Sequence, residues 1–514
     1  MKSSISALRV AGLSAAAFMA ALAAQPAHAQ KSKDTMRIAL AEALPVIDSY
    51  YSNSNDGSFY YREVYEPLVR YDDGIGKFTP ALAESWKQID DKTIEFQLRK
   101  NVKFHNGKLF TADDVVYMNT WRADPKLRIT AASRLQWIAR TEKTGPYTVR
   151  IYSHEPTAPA LNLLAANMFY YDSDIHSKLK DKSDYGKTPI GTGAIKVTRF
   201  DPNSQILHVE RFEEFNHGVK PAWKYAEGVP IPDREAQTAH MIAGTIDVMR
   251  VANKSQYDDL PKLPNLVGYS RNQLTHLELY LDARNRAKQP ALNDVRVRRA
   301  IFMAIDRAEL AKHIVPGEAH VVDGYCEPVM FACPDFGLKQ RPYDPAAARK
   351  LLEEAGYKDG FDMEIVTRAL SREAGIAVAG MLRQIGIRAN VQHVTMGVYR
   401  ARRNEGSIQA VVADTPIGNM PDTSNVFRLY FGSHGSSFVD DKQMFAWEQE
   451  GLTTIDENKR KAIYQKMSQK LFDDAYILPI SSWPDTFVHN KDVTITKRTW
   501  SGARVSIMDL GWTK

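Results

Sequence analysis

The chain has 514 residues, of which 44% are apolar, 25% charged and 10% aromatic. That composition excludes a disordered or low-complexity protein and is enough to bury more than one core. The formal charge of +6 is small for this length and includes Lys2 and Arg9 at the start of the chain, so it gives no support for a nucleic-acid partner. The basic clusters Arg296-Val297-Arg298-Arg299 and Arg400-Ala401-Arg402-Arg403 have no interleaved aromatics and read as solvated helix faces.

Lys2 and Arg9 are followed by an apolar, alanine-rich run at 10–24 and by the small-x-small pattern Ala27-His28-Ala29. This reads as a cleavable secretory signal over 1–29, and the run is too short to be a good membrane span. No cysteine follows the expected cut, so a soluble periplasmic protein is expected rather than a lipoprotein. Next, Asn53-Ser54-Asn55-Asp56-Gly57 forms a polar turn and N-cap ahead of a helix holding Tyr60, Tyr61 and Tyr65. At 82–115 the punctuation is denser. Asp90-Asp91 makes a turn, 93–98 alternates as a half-buried strand, and Lys103-Phe104-His105 reads as a second short strand closed by Asn106-Gly107. Thr111 then caps a helix with Asp113 and Asp114 in its first turn.

Tests for enzymatic motifs fail. Gly186-Lys187-Thr188 has Asp181 where a phosphate loop needs its first glycine, and His208-Val209-Glu210 lacks the downstream Pro-Cys-x-x-Cys of a zinc deaminase. There is no His-Glu-x-x-His and no Gly-x-Ser-x-Gly elbow. The thirteen histidines are scattered, so neither a catalytic set nor a metal site is expected.

Further on, 275–282 reads as a strand with His276, Glu278 and Tyr280 on one face. An inward Glu278 needs a partner; a solvated strand face is the alternative. A helix follows Asn293-Asp294, with Val297, Ala300, Ile301, Ala304, Ala308 and Ala311 on one face, and another runs from Asp344-Pro345 to Gly356. Cys326 and Cys333 are close enough in an oxidising compartment to form a local disulfide, and no further ligands lie near them for a metal.

The phrases Ser85-Trp86, Phe96-x-Leu98-Arg99, Val102-Lys103-Phe104-x-x-Gly107 and Phe110-Thr111-Ala112-x-Asp114-Val115 occur in one fixed order. This order closely resembles the family 5 extracellular solute-binding proteins, the dipeptide, oligopeptide and nickel receptors of bacterial ABC importers. Gly191-Thr192-Gly193, Gly244-Thr245-Ile246-Asp247-Val248, Asn293-Asp294-Val295-Arg296, Ala304-Ile305-Asp306-Arg307 and Tyr343-Asp344-Pro345 extend the resemblance along the mature chain. One departure is Arg211-Phe212-Glu213-Glu214-Phe215, where the family commonly has Arg-Asn-x-x-Tyr-Trp. The resemblance implies an α/β, two-lobed periplasmic binding protein type II fold with an additional inserted domain, as in dipeptide receptors. It places a discontinuous first lobe at 31–75, 200–283 and 490–514, the inserted domain at 76–199, and the second lobe at 284–489.

It also implies ligand-facing positions. Asn53 and Asn55 belong to the first-lobe loop that faces ligand. Glu278 and Tyr280 match a strand that supplies acidic and aromatic pocket residues. Arg368, after the strand 363–367, matches a region where dipeptide receptors pair an Arg with the ligand carboxylate, although a surface Arg at a helix start reads equally well. In the loop that runs through Ile417 and Asn419 to Pro421, Ile417 stands where peptide receptors hold the ligand ammonium with an Asp. Asp414 is a substitute three residues away, at a position where oligopeptide receptors carry an aromatic. Trp483 is either a stacking platform or interlobe packing.

The function so implied is a periplasmic receptor, expected as a monomer without cofactor or catalytic residues. It captures a small or medium-sized solute, peptide-like or an anionic conjugate, in an interlobe cleft and delivers it to an inner-membrane ABC permease. An oligosaccharide or opine receptor, or a signalling or chaperone-like solute receptor without transport, is the alternative.

Overall fold

A computed structural model describes residues 34–52, 54–72, 75–129, 135–251, 253–335, 337–368, 370–417, 420–431, 437–496 and 504–513. The secretory signal over 1–29, Asn53 and Asn419 lie outside these residues. In chain order the strands are β1 (Thr35–Leu40), β2 (Val69–Asp72), β3 (Lys77–Pro80), β4 (Ala83–Asp90), β5 (Thr93–Leu98), β6 (Ile138–Gly145), β7 (Thr148–Ser153), β8 (Ile195–Phe200), β9 (Leu207–Arg211), β10 (Tyr225–Pro230), β11 (Val248–Arg250), β12 (Leu266–Arg271), β13 (His276–Leu281), β14 (Phe361–Thr367), β15 (Ile387–His393), β16 (Ala410–Thr415), β17 (Ile477–Ser482), β18 (Asp485–Asn490), β19 (Val493–Ile495) and β20 (Leu510–Trp512).

Two mixed sheets organise the molecule. The first has seven strands in the order β12-β18-β11-β1-β10-β9-β8, with β1 parallel to both β10 and β11 and the remaining pairs antiparallel. The second has five, in the order β15-β14-β16-β13-β17. A four-stranded antiparallel sheet, β4-β5-β7-β6, stands apart from both, within the segment expected as the inserted domain.

The second sheet is buried on both faces, because its side chains alternate with the strand period of two. Leu277, Leu279 and Leu281 of β13, Ala410 and Val412 of β16 and Ile480 of β17 join one core with the helices Val295–Met303 and Arg372–Arg383. Tyr280, Val411, Ala413 and Ile477 point the other way, into a core with the helices Lys442–Thr453 and Glu457–Asp474. The chain passes between the two sheets at 272–275 and again at 483–484, where Trp483 N donates to Thr275 O at 2.8 Å and ties the two crossings together. Thus β13 falls in the second sheet although 200–283 was expected in the first lobe. Likewise β18 falls in the first sheet although 284–489 was expected in the second.

Local signals at 82–122 take their structural form mostly as read. β4 and β5 turn at 91–92, and Gly107 has φ +87°, a conformation that favours glycine. The expected strand at Lys103-Phe104-His105 is reduced to one bridge, Lys103 with Leu109, since Phe104 N donates to Lys108 O and the chain turns at once. Thr111 precedes the helix Ala112–Arg122, and its N–H is accepted by Asp114 at 3.0 Å.

The single helix expected after Asn293-Asp294, with its apolar face running to Ala311, is two helices, Val295–Met303 and Arg307–His313. Asp306 breaks it by capping the second, accepting from Glu309 N at 3.0 Å, and the new helical phase leaves Ala308 exposed and buries Leu310. At 211–215, Phe212 and Phe215 pack into the first core. The Gly191-Thr192-Gly193 turn lies against the end of the helix Asn55–Val64, where a Cβ on Gly191 would meet Val64 O at 1.8 Å. Cys326 and Cys333 are joined in a disulfide.

Candidate functional site: a charged interlobe cleft

Charged side chains stand at the ends of strands of both sheets, Asp414 near the carboxyl end of β16 and Arg250 at the end of β11. On the second-lobe side, Arg368 leaves the end of β14 and Ser371 Oγ receives its N–H at 3.1 Å. Its guanidinium donates from Nη2 to Asp414 O at 2.6 Å and lies 5.0 Å from the Tyr399 ring centroid. It is therefore a half-buried, positioned cation and not a loose surface arginine.

Asp414 is the acidic member of the site. Its Oδ1 is buried and makes no hydrogen bond among the described residues. Burial pushes its carboxyl up, while Arg368 on its own lobe and Arg504 on the other act to lower it. On the first-lobe side the helix Asn55–Val64, capped by Ser54 Oγ accepting from Gly57 N at 2.9 Å, carries Ser58, Phe59, Arg62 and Glu63. These residues, Arg250 at the end of β11 and the segment 504–506 enclose a cavity of about 20 Å³. Arg250 reaches Asp485 at 3.2 Å, and Ser506 Oγ donates to Glu63. Burial pushes Glu63 up to about 7, and burial with the neighbouring Arg250 holds Arg504 down to about 10.

Deeper in the second lobe, Glu278 is 1% exposed, which rules out a solvated strand face. Its partner is at hand, because Tyr280 O–H donates to Glu278 and shares a 2.9 Å hydrogen bond with Thr415 Oγ1. His276 Nδ1 lies 3.7 Å from Glu278, and Nε2 donates to Glu327 at 2.7 Å. Burial acts to lower the His276 pKa, but the two carboxylates outweigh it and push it up to about 9. A charged histidine held between two glutamates follows.

Ile417 is 0% exposed and packs in the second-lobe core with Val426, Phe427 and Phe438; its carbonyl accepts from Asn425 Nδ2 at 3.0 Å. The side chain points into that core and not into the cleft, so no anion stands at this position. Trp483 is 3% exposed and packs with Leu277, Leu279 and Ile480, a packing role in this arrangement. Asn55 begins the helix on the first-lobe side.

The lobes touch around the cleft. Tyr71 O–H donates to Val329 O in the disulfide loop, Phe78 and Phe331 have ring centroids 6.2 Å apart, and Asn162 Nδ2 donates to Pro421 O at 3.1 Å. Among the described residues no group of His, Cys, Asp and Glu is arranged to hold a metal ion, and no helix is long and apolar enough to cross a membrane.

Arg62, Arg250, Arg504, Tyr399 and Glu327 were not found from sequence. Three of them had nearby signals: Arg250 follows the Gly244-Thr245-Ile246-Asp247-Val248 phrase by two residues, Glu327 directly follows Cys326, and Arg62 directly follows Tyr61.

Comparison with known proteins gives the same frame. Residues 77–438 match the family model for bacterial extracellular solute-binding proteins, family 5 Middle. The chain is 26% identical over 457 residues to the heme-binding protein A of Haemophilus influenzae, covering 82% of each. It is also 26% identical over 486 residues to the di/tripeptide-binding protein 1 of Pseudomonas aeruginosa, covering 84% of this chain and 85% of that one. The solved ABC transporter-associated periplasmic binding protein DppA from Helicobacter pylori, in complex with the peptide STSA, superposes with a TM-score of 0.78 at 22% identity, over 93% of this chain and 98% of that one. The arrangement is the two-lobed type II binding-protein fold, and the chain belongs to the family 5 bacterial extracellular solute-binding proteins.

Proposed function

We propose that the protein is exported to the periplasm and holds one small or medium-sized solute, peptide-like or an anionic conjugate, between its lobes for delivery to an inner-membrane ABC permease, without chemical change to the solute. The observation that carries this reading is Arg368, held by Asp414 O at 2.6 Å and against the Tyr399 ring, beside the Asp414 carboxyl whose buried Oδ1 makes no hydrogen bond among the described residues. Charges at the mouth of a hinged cleft recognise a polar solute, and closure around it withdraws them from water, where each contact counts for more. Family membership supports the receptor role.

The core position of Ile417 favours ligands that need no ammonium anchor there. Mass spectrometry of the solute that copurifies with the periplasmic protein, followed by calorimetry with that solute, tests the reading. One bound solute per chain, recovered unaltered and taken up by vesicles carrying the permease only when the protein is added, is the expected result. A solute released as a cleaved or oxidised product would refute it.

A further inference from the structure

The helix Ala160–Asn167 belongs to a segment that shares its core with the first sheet: Ile138, Ala160 and Leu164 join Ile38 of β1 and Val209 of β9, so the segment moves with the first lobe. Its other side meets the second lobe along a seam. Asn162 is 1% exposed, and its Nδ2 donates to Pro421 O at 3.1 Å. Ala158 N donates to Leu452 O at 2.9 Å, near the end of the helix Lys442–Thr453. Leu163 and Ala166 pack on Met420 in a cluster separate from the larger cores, with Trp137 at its edge.

This seam is built to part. Both polar ties end on backbone carbonyls, which water satisfies once the seam opens, so each adds little net stability. The apolar patch has three buried side chains, and separating them exposes neither lobe's core. Pro421 O also accepts from Phe331 N at 2.9 Å within the second lobe, so it keeps a partner when Asn162 leaves. The loop that Asn162 holds runs from the end of β16, where Asp414 lies beside Arg368, to Asp422, which is fixed by Arg460. Seam and solute site therefore share one stretch of backbone. Resting on the receptor reading above, we propose that Asn162 is a positioning residue for solute capture: with Ala158, Leu163 and Ala166 it forms a reversible latch onto the Pro421 loop, and parting of this seam is the motion that opens the cleft.

The latch is tested on the protein purified from the periplasm, by hydrogen exchange resolved to single amides by fragmentation mass spectrometry, with small-angle scattering on the same samples. Ala158 N–H reports the seam, because its acceptor lies on the other lobe; Phe331 N–H reports the Pro421 loop itself, because its bond stays inside the second lobe. Asn162→Asp cannot donate and sets a carboxylate against a carbonyl, yet an acid in the first turn favours the helix, so the local fold is spared. Exchange of Ala158 N–H should quicken by about tenfold or more, and the radius of gyration should rise, with Phe331 N–H unchanged. Met420→Ala keeps both hydrogen bonds and should move Ala158 in the same direction; it decides alone if Asn162→Asp fails to fold. Two results overturn the latch: unchanged Ala158 exchange in the folded variants, or Ala158 and Phe331 quickening together, which is unravelling of the loop. Neither touches the receptor reading, which is refuted instead by release of a cleaved or oxidised solute.

Discussion

Asp422 and Arg460 test whether this structure stores stability where burial says it does. Both are 0% exposed, and the guanidinium meets the carboxylate through two contacts, Nη2 to Oδ1 at 2.7 Å and Nη1 to Oδ2 at 3.1 Å. Nε donates to Gly451 O at 3.0 Å, and Ser424 donates to Asp422 from its N–H and its Oγ at 2.9 and 2.6 Å. Removing one partner strands the other as a buried charge, a cost of about 3–5 kcal/mol. Removing both exchanges the pair for packing and costs far less than the sum, with a coupling of about 2–3 kcal/mol. Global unfolding of a two-lobed chain is not two-state, so the quantity to read is native-state hydrogen exchange of the helix Glu457–Asp474. Asp422→Ala and Arg460→Met should each lower its protection by that amount, and the double variant should recover most of it. A single-variant loss under about 1 kcal/mol, or strict additivity, would refute the reasoning. The loop carrying Asp422 also holds Phe331, through Phe331 N to Pro421 O at 2.9 Å, and Asn162 of the inserted segment, so the same variants should loosen the contact between lobes.

Four further outcomes are expected. His276 is raised above its unfolded value of about 6.5 to about 9, so its stabilisation is complete below pH 6.5 and is lost as pH rises through 9; wild type should lose melting temperature over that window and His276→Gln should lose much less, and parallel curves would sink the assignment. Intact mass after alkylation of the unfolded, unreduced exported protein should show no added alkyl group, whereas two would exclude the Cys326–Cys333 bond. Arg368→Ala should weaken calorimetric binding of the copurified solute by about 1.5–3 kcal/mol if the solute carboxylate meets this cation, and unchanged affinity would remove Arg368 from the site. Ile417→Asp places a carboxylate in a core and should lower the melting temperature without creating peptide affinity; a stable variant that gains dipeptide binding would show that the side chain reaches the cleft.

What was legible in the sequence is what neighbours along the chain decide. The turn at 91–92, the positive φ of Gly107 and the Thr111–Asp114 cap are each set within four residues, and each is found. The helix expected after Asn293-Asp294 shows the limit of the same logic: its apolar spacing continues past Ala304, but Asp306 offers a cap that a periodicity count does not weigh against continuation. Strand β13 was readable as a strand, and the demand that Glu278 have a partner was readable too. The identity of the network was not, because Glu327 reaches it from 51 residues beyond His276, on a loop whose position depends on the disulfide and on Pro421.

The cleft charges are the furthest from local signals. Arg250 and Arg504 lie 254 positions apart and meet because β18 returns to the first sheet beside β11, a pairing of Arg250 with Phe487 that no motif announces. Ile417 shows the opposite case. Its sequence position marks a place where relatives in the resemblance carry an anion, yet the backbone leaving β16 turns the side chain into the core, where Asn425 fixes its carbonyl. The charged groups near this loop are Asp414, three residues earlier on β16, and Arg368, which donates to Asp414 O at 2.6 Å and stacks on Tyr399, so both are fixed by the ends of β14 and β16 and not by the residue at 417.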